Sequence, residues 1–473
     1  MSNKKNLIIK CLLALVMVVL SIVLCTVVIK INILPNKYLL LVIGGIILLN
    51  LIGGICLFIK KWYLKIVTGV MYLLLVIVSI LGIKYGSDTL DFLNEAFGNN
   101  SVEITTYNII SLSKYEYEDI YDVEGNKLYY LINDTLVNDA IKEVNKSITV
   151  ETVSYEDLFE LYNALVNEEI KFILIDEAYI DILGESYSDI DSVISVIHEI
   201  DIKTEIKNED VKVELKPINI YLSGSDSRSN RIYNKSRSDV NMIITVNPET
   251  REILLTSIPR DYYVDVDGKT GLKDKLTHAG IYGVDTSRKT LENLFDIEID
   301  YSIKIGFNAV VELVDLVGGV EVYSDKTFNS YHKKGWKVKK GINYMDGEKA
   351  LAYARERYAY VSGDRHRIKN QQDVLAAVID KLSKSDTLLT RYDELLTSLS
   401  HFYVTDIPKG LITGVVKMQL DDMSSWNIKS QSVSGSDASL PTYTAPKSKR
   451  YVMIPYEDDV KNATKEIKKV LEG

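Results

Sequence analysis

The sequence predicts an α/β protein: a central mixed β-sheet flanked by helices, preceded by a small α/β accessory domain and three N-terminal transmembrane helices. Three observations predict it. Residues 1–85 are apolar and carry nine Lys but no Arg, Asp or Glu, whereas the remainder carries 46 basic against 65 acidic side chains. Residues 101–215 hold 27 Asp and Glu against eight Lys and no Arg. From Pro217 onward, short β-branched runs alternate with helical patterns, the signature of helices packed on a sheet. The expected divisions are thus 1–85, 86–215 and 216–473. An acidic body on an apolar basic head excludes an ordinary cytosolic globule and argues against nucleic acid as a partner, because phosphate contacts need a net basic face.

The head contains three charge-free stretches, 11–29, 38–59 and 66–83, each close to the roughly 20 residues that a hydrocarbon core requires. Three consecutive spans do not fit a cleaved leader. Lys4, Lys5 and Lys10 precede the first span and Lys60, Lys61 and Lys65 fill the second loop, while the first loop has only Lys30 and Lys37. The positive-inside rule then places the amino terminus in the cytoplasm and everything after Lys84 outside a cell membrane crossed three times. Cys11, Cys25 and Cys56 all lie in the head, so the exterior has neither disulfides nor thiol chemistry.

In the acidic stretch, 170–175 reads as a strand, and Ser154 followed by Asp157 ahead of Leu158, Phe159, Leu161 and Leu165 reads as a capped amphipathic helix. No site is legible there. Beyond Pro217, 218–222, 240–246 and 252–258 read as buried strands, and 286–295 and 308–317 as helices, the second stopped by Gly318 and Gly319. Residues 432–448, rich in Ser, Thr, Pro and Gly, read as an exposed loop before a last helix over 457–471.

All 12 Arg lie at or after Arg228. Arg228, Arg231, Arg237 and Arg260 fall at strand ends or adjoining loops, and Arg355, Arg357, Arg365 and Arg367 crowd one later segment. A planar guanidinium grips phosphate oxygens in a fork that a flexible ammonium cannot match. The cluster therefore suggests a polyanion, with pyrophosphate the compact choice; the bland reading of any single Arg is a surface ion pair. Arg355 and Arg357 share a face only if extended, whereas Arg367 and Gln371 share a helix face. A helix begun near Glu348 is thus expected to give way to extended chain by Arg355, and another to begin near Asp364. Asp226 and Asp239 flank the Arg-bearing turns, and two carboxylates beside a pyrophosphate call for a divalent cation between them. His278 has no second His or acid at ligand spacing and reads as a polar loop residue.

These residues form an ordered set. Gly224-Ser-Asp-Ser-Arg228, Arg237-Ser-Asp239, Ser257-Ile-Pro-Arg-Asp261, Lys275-Leu-Thr-His-Ala279, Gly306-Phe307, Val314-Asp-Leu-Val-Gly-Gly-Val320, and Arg355-Glu-Arg357 followed by Asp364, Arg367 and Gln371 resemble the LytR-CpsA-Psr family. The resemblance runs from about Ile218 to the carboxyl terminus, and the three spans with an acidic accessory domain look like its capsule-associated CpsA branch. It implies the LCP fold and a membrane-anchored phosphotransferase. Such an enzyme moves a glycan phosphate, here capsular polysaccharide, from a polyprenyl-pyrophosphate lipid carrier to peptidoglycan and releases polyprenyl phosphate. Position by position, the resemblance implies that Asp226 and Asp239 hold Mg²⁺, with Mn²⁺ a substitute. Arg237, Arg260, Arg355, Arg357 and Gln371 would bind the pyrophosphate, supported by Lys275 and Arg367. Asp364 would orient or deprotonate the acceptor hydroxyl, and Phe307, Val311, Leu313 and Val314 would wall a lipid tunnel; read alone, those four are ordinary core positions. Where many members have Arg before the paired glutamines this chain has Asn370, which puts one phosphate contact in question. The rival readings are a lipid-pyrophosphate hydrolase using water as acceptor, and a non-enzymatic envelope regulator or transcriptional attenuator.

Overall fold

The computed structural model describes every residue except 1, 60, 98–99, 133, 135, 208–213, 226–231, 362 and 385–402. Helices Ser2–Ile31, Asn36–Phe58 and Trp62–Phe97 form an amino-terminal hairpin bundle. Each contains a stretch long and apolar enough to cross a membrane. Leu12, Leu40, Leu41 and Leu73 are among many side chains more than 60% exposed, an arrangement suited to lipid rather than water. Gly53 lets the second helix approach the Tyr72 ring, which a Cβ would strike, and Asn50 donates to Ser21 across the bundle at 2.8 Å.

The acidic region folds around a five-stranded mixed sheet in the order Glu151–Tyr155, Lys127–Leu131, Phe172–Asp176, Asn100–Leu112, Ile194–Lys207. Alternation sends Tyr107 and Ile109 into one core and Ile110 and Leu112 into the other. Phe172–Asp176 is buried along its whole length because helices cover both faces. The helix Leu158–Val166 is capped by Asp157, which accepts from Phe159 N at 2.8 Å and Glu160 N at 3.0 Å. Ser154, expected to share that cap, belongs to the preceding strand.

The second sheet is six-stranded and mixed, in the order Tyr403–Thr405, Tyr301–Gly306, Ile218–Ser225, Val240–Asn247, Glu252–Ile258, Asn427–Ser432. Helices Val284–Phe295 and Glu457–Glu472 pack on one face. Helices Phe307–Leu316, Gly347–Ala354, Asp364–Lys384 and Lys409–Asp422 contribute the wall over the other.

The expected loop over 432–448 is instead a β-hairpin, Gly435–Thr442 paired with Ala445–Pro455. Its small polar residues show no apolar alternation, and its stability comes from where it docks. Lys447 pairs with Glu160 at 2.6 Å, Arg450 donates to Ser186 at 2.7 Å, and the Arg450 guanidinium stacks 3.6 Å from the centre of Phe159. Ala445 and Ile281 also enter the core of the five-stranded unit, so the two α/β units share apolar packing as well as ion pairs.

Candidate functional site

On the face of the six-stranded sheet covered by Asp364–Lys384 and Lys409–Asp422, alternate residues of four strands line up in two rows. Thr405, Ile303, Leu222 and Met242 are register neighbours in one row, and Tyr403, Ile305, Gly224 and Val240 in the next. A Cβ on Gly224 would sit 2.8 Å from that of Val240, so the glycine keeps the floor low. Above the rows, Asp364–Lys384 presents Val374, Leu375 and Val378, and Lys409–Asp422 presents Ile412 and Val416. Phe307–Leu316 presents Phe307, Ala309, Val310 and Leu313, and Gly347–Ala354 presents Leu351 and Ala354. They enclose an apolar chamber of about 340 Å³.

A second cavity, polar and of about 530 Å³, adjoins it. Arg237, Asp239, Arg260, His332, Arg355, Arg357, Arg367 and Gln371 line it, and Phe307, Arg355 and Gln371 line both spaces. One stripe of the helix Asp364–Lys384 therefore runs from a polar end, Arg367 and Gln371, to an apolar end, Val374 and Val378. The neighbouring Gln372 points away and donates to Gln431 O at 2.6 Å and Leu255 O at 3.3 Å, bolting the helix to the sheet.

The cations are held by acids. Arg260 donates to Asp239 at 2.6 Å and lies 3.8 Å from Asp261. Burial works to lower its pKa, but those two carboxylates outweigh it and raise it. Arg367 pairs with Asp364 at 2.8 Å; burial, aided by Arg260, lowers its pKa despite that partner. The Arg355 guanidinium lies 5.2 Å over the Phe307 ring, where the cationic and apolar spaces meet. Burial, then Arg355, depresses the pKa of His332, favouring its neutral form.

Arg355 is not extended as expected. It ends the helix Gly347–Ala354 at φ −91° and ψ −9°, and the chain then turns. The side chain of Glu356, fully buried, drives that turn by accepting from Tyr331 N and Tyr358 N at 2.9 Å and from Ala359 N at 3.2 Å. Its two arginine neighbours are thereby left to the cavity. Glu356→Ala is expected to destabilise the protein by about 2–4 kcal/mol, since three partly buried N–H groups lose their acceptor, each such hydrogen bond being worth roughly 0.5–1.5 kcal/mol net. Thermal unfolding of the variant beside Glu356→Gln, which keeps one accepting oxygen, checks this; equal midpoints for both variants and wild type would refute it.

Other expected residues lie elsewhere. Asp226, Arg228 and Arg231 fall outside the described residues. Arg365 donates to Gly435 O of the hairpin. Lys275 and Asp364 are not among the lining residues: Lys275 is buried against Asp261 at 3.2 Å, and Asp364 is partly exposed beside the lining residue Arg367. Val314 is fully buried in the core behind the chamber wall, and Val311 turns its carbonyl toward Gly347; Val310 takes the lining position instead. Asn370 is buried and donates to Tyr353 O at 3.1 Å and Glu356 O at 3.4 Å. It closes a helix end and is outside the cavity lining. His278 is buried against Asp274 at 2.8 Å.

Sequence reasoning missed the accessory unit's part in the site. Ile180, Asp181, Gly184, Glu185, Ile190 and Asp191 line the polar cavity. Glu185 reaches Arg237 at 2.5 Å and Lys275 at 3.4 Å. Burial raises its pKa, but Lys275 and Arg237 prevail and lower it.

Three helices long and apolar enough to cross a membrane, a mixed sheet between helix layers, and an arginine-lined cavity adjoining an apolar chamber define the class of protein in structural terms. The model of the LytR_cpsA_psr family matches residues 187–469, and the chain belongs to that family. It is 33% identical over 259 residues to a Bacillus anthracis protein named polyisoprenyl-teichoic acid–peptidoglycan teichoic acid transferase TagU, covering 54% of this chain and 80% of the relative. The protein of the same name from Bacillus mycoides is 36% identical over 209 residues, covering 44% and 64%. The crystal structure of Bacillus subtilis TagV is 28% identical with a TM-score of 0.47, covering 55% of this chain and 99% of that one.

Proposed function

We propose that this protein transfers a glycopolymer phosphate from a polyprenyl-pyrophosphate carrier to peptidoglycan. The observation that carries this reading is the junction at Phe307, Arg355 and Gln371 of an apolar chamber with a cationic cavity. An isoprenoid chain is uncharged and a pyrophosphate is a compact polyanion, so one molecule matches both spaces. Relatives named for moving teichoic acid to peptidoglycan support the transfer class. The three spans and accessory unit resemble the capsule-associated branch, so we take capsular polysaccharide as the polymer and teichoic acid as the comparison. The charge asymmetry of the head supports an amino terminus inside the cell and a catalytic unit outside it.

In the reaction an acceptor hydroxyl attacks the phosphorus that bears the glycan. The bond from that phosphorus to the bridging oxygen breaks, polyprenyl phosphate leaves with the bridging oxygen and the bonding electrons, and the hydroxyl proton passes to Asp364, which Arg367 orients. Arg355, Arg357 and Arg260 neutralise the charge that moves to the departing oxygen, with Gln371 donating beside them. Such catalysis is positioning plus electrostatic stabilisation and needs no nucleophilic side chain. Mg²⁺ or Mn²⁺ would be held by Asp239 with Asp226; Asp239 lines the cavity, and such an ion binds through one or two carboxylates and phosphate oxygens. When bound, the ion would neutralise pyrophosphate charge.

The test is the full chain in lipid nanodiscs with lipid-linked glycan, with and without peptidoglycan. The expected result is glycan joined to peptidoglycan through one phosphate, with polyprenyl phosphate released only when acceptor is present. Equal release without acceptor would make the protein a hydrolase and overturn transfer.

A further inference from the structure

Beside the cationic cavity, two tyrosines stand out in solvent. Tyr331 is 63% exposed and Tyr358 is 55% exposed, yet their rings lie 4.1 Å apart at 42°. His332 packs edge-on to Tyr331 at 5.3 Å and lies 6.2 Å from Tyr358. These residues come from two separate segments, and one buried carboxylate fixes both: Glu356 accepts from the backbone N–H of Tyr331 and of Tyr358. The platform is therefore held in place before any ligand arrives. Exposed aromatic faces fixed in this way forgo burial that the fold could otherwise have used, which marks a contact surface.

Its position says what would lie on it. Phe307, Arg355 and Gln371 join the apolar chamber to the polar cavity, and two other residues lining that cavity, Arg357 and His332, are also packed against the tyrosines. Arg357 bridges the two, lining the cavity while its guanidinium lies 4.9 Å over the Tyr358 ring and donates to the Tyr358 hydroxyl at 2.8 Å. In a lipid-linked glycan the pyrophosphate separates the lipid from the first sugar. With lipid in the chamber and pyrophosphate among the arginines, a sugar leaving the cavity past Arg357 and His332 would meet the tyrosines.

We propose that Tyr331 and Tyr358 form a stacking platform for the pyranose ring joined to the pyrophosphate of the donor, a subsite that rests on the transfer reading above. The axial C–H groups of a pyranose carry slight positive charge and suit the negative face of an aromatic ring. The Tyr358 hydroxyl, which accepts from Arg357, keeps its own proton to donate to a sugar hydroxyl. Arg357 couples the platform to the phosphate, so a donor with a well-seated sugar also holds its phosphorus in register.

The experiment compares the full chain in nanodiscs with a Tyr331→Ala/Tyr358→Ala double variant and a Tyr331→Phe/Tyr358→Phe double variant. The probes are a polyprenyl pyrophosphate bearing one N-acetylhexosamine and the same lipid without sugar. The alanine pair is expected to weaken binding of the sugar-bearing lipid about tenfold, the scale of one or two aromatic contacts. Binding of the bare lipid and the thermal midpoint stay unchanged, and the phenylalanine pair keeps most of the affinity. Unchanged binding of the sugar-bearing lipid, or equal loss for both lipids, would overturn the platform, as would a loss confined to a peptidoglycan fragment. If wild type binds neither lipid, the transfer reading itself fails and the platform falls with it; wild-type binding of both lipids with no effect of the alanine pair removes the platform alone.

Discussion

An Arg355→Ala variant is expected to fold normally and to lose about a hundredfold or more in transfer kcat/KM, the scale of removing one preorganised donor from a developing charge. Arg355 is chosen because it touches both spaces. Its guanidinium lines the polar cavity and covers the Phe307 ring, so its loss weakens charge neutralisation where lipid becomes headgroup. Arg355→Lys keeps the charge without the planar fork and should recover only part of the rate. Steady-state transfer by all three proteins, with thermal midpoints as the folding control, decides the matter. Full activity in the alanine variant would remove Arg355 from the catalytic group.

Leu313→Trp is expected to abolish retention of polyprenyl lipid while leaving the cationic cavity able to bind soluble pyrophosphate. The chamber measures about 340 Å³ and Leu313 is part of its wall, so an indole there takes space that the isoprenoid needs. Overpacking of a filled core costs roughly 1–3 kcal/mol, but an open chamber can admit the larger ring. The contrast between lost lipid and retained pyrophosphate is therefore the signature. Mass spectrometry of lipid extracted from the purified full chain, beside titration with soluble pyrophosphate, reads both. Undiminished lipid in the variant would mean the chain lies elsewhere.

The cationic half of the site was legible in the sequence because charge and planarity announce themselves: Arg237, Arg260, Arg355, Arg357, Arg367 and Gln371 all line one cavity. The apolar half was legible only in part. Phe307 and Leu313 line the chamber while Val311 and Val314 do not, since a valine facing a cavity and a valine facing a core obey the same helical period. The floor was beyond reach for a similar reason, because its eight residues come from four strands whose register only tertiary structure sets. The hairpin Gly435–Thr442 with Ala445–Pro455 was hidden by a composition that marks turns, its fold being decided by contacts such as Arg450 on Phe159. The turn after Arg355 depends on one buried acid, Glu356, whose role no spacing rule reveals.

Glu185 gives the accessory unit a thermodynamic voice in the site. Its carboxylate is a resident counter-ion to Arg237 and Lys275, so under the proposed function the phosphate oxygens would have to exchange with it to reach those two cations. Ligand and accessory edge thus compete for the same positive charge, and linkage makes the competition reciprocal. Any force that draws Glu185 away tightens phosphate binding, and phosphate binding frees Glu185 by the same factor.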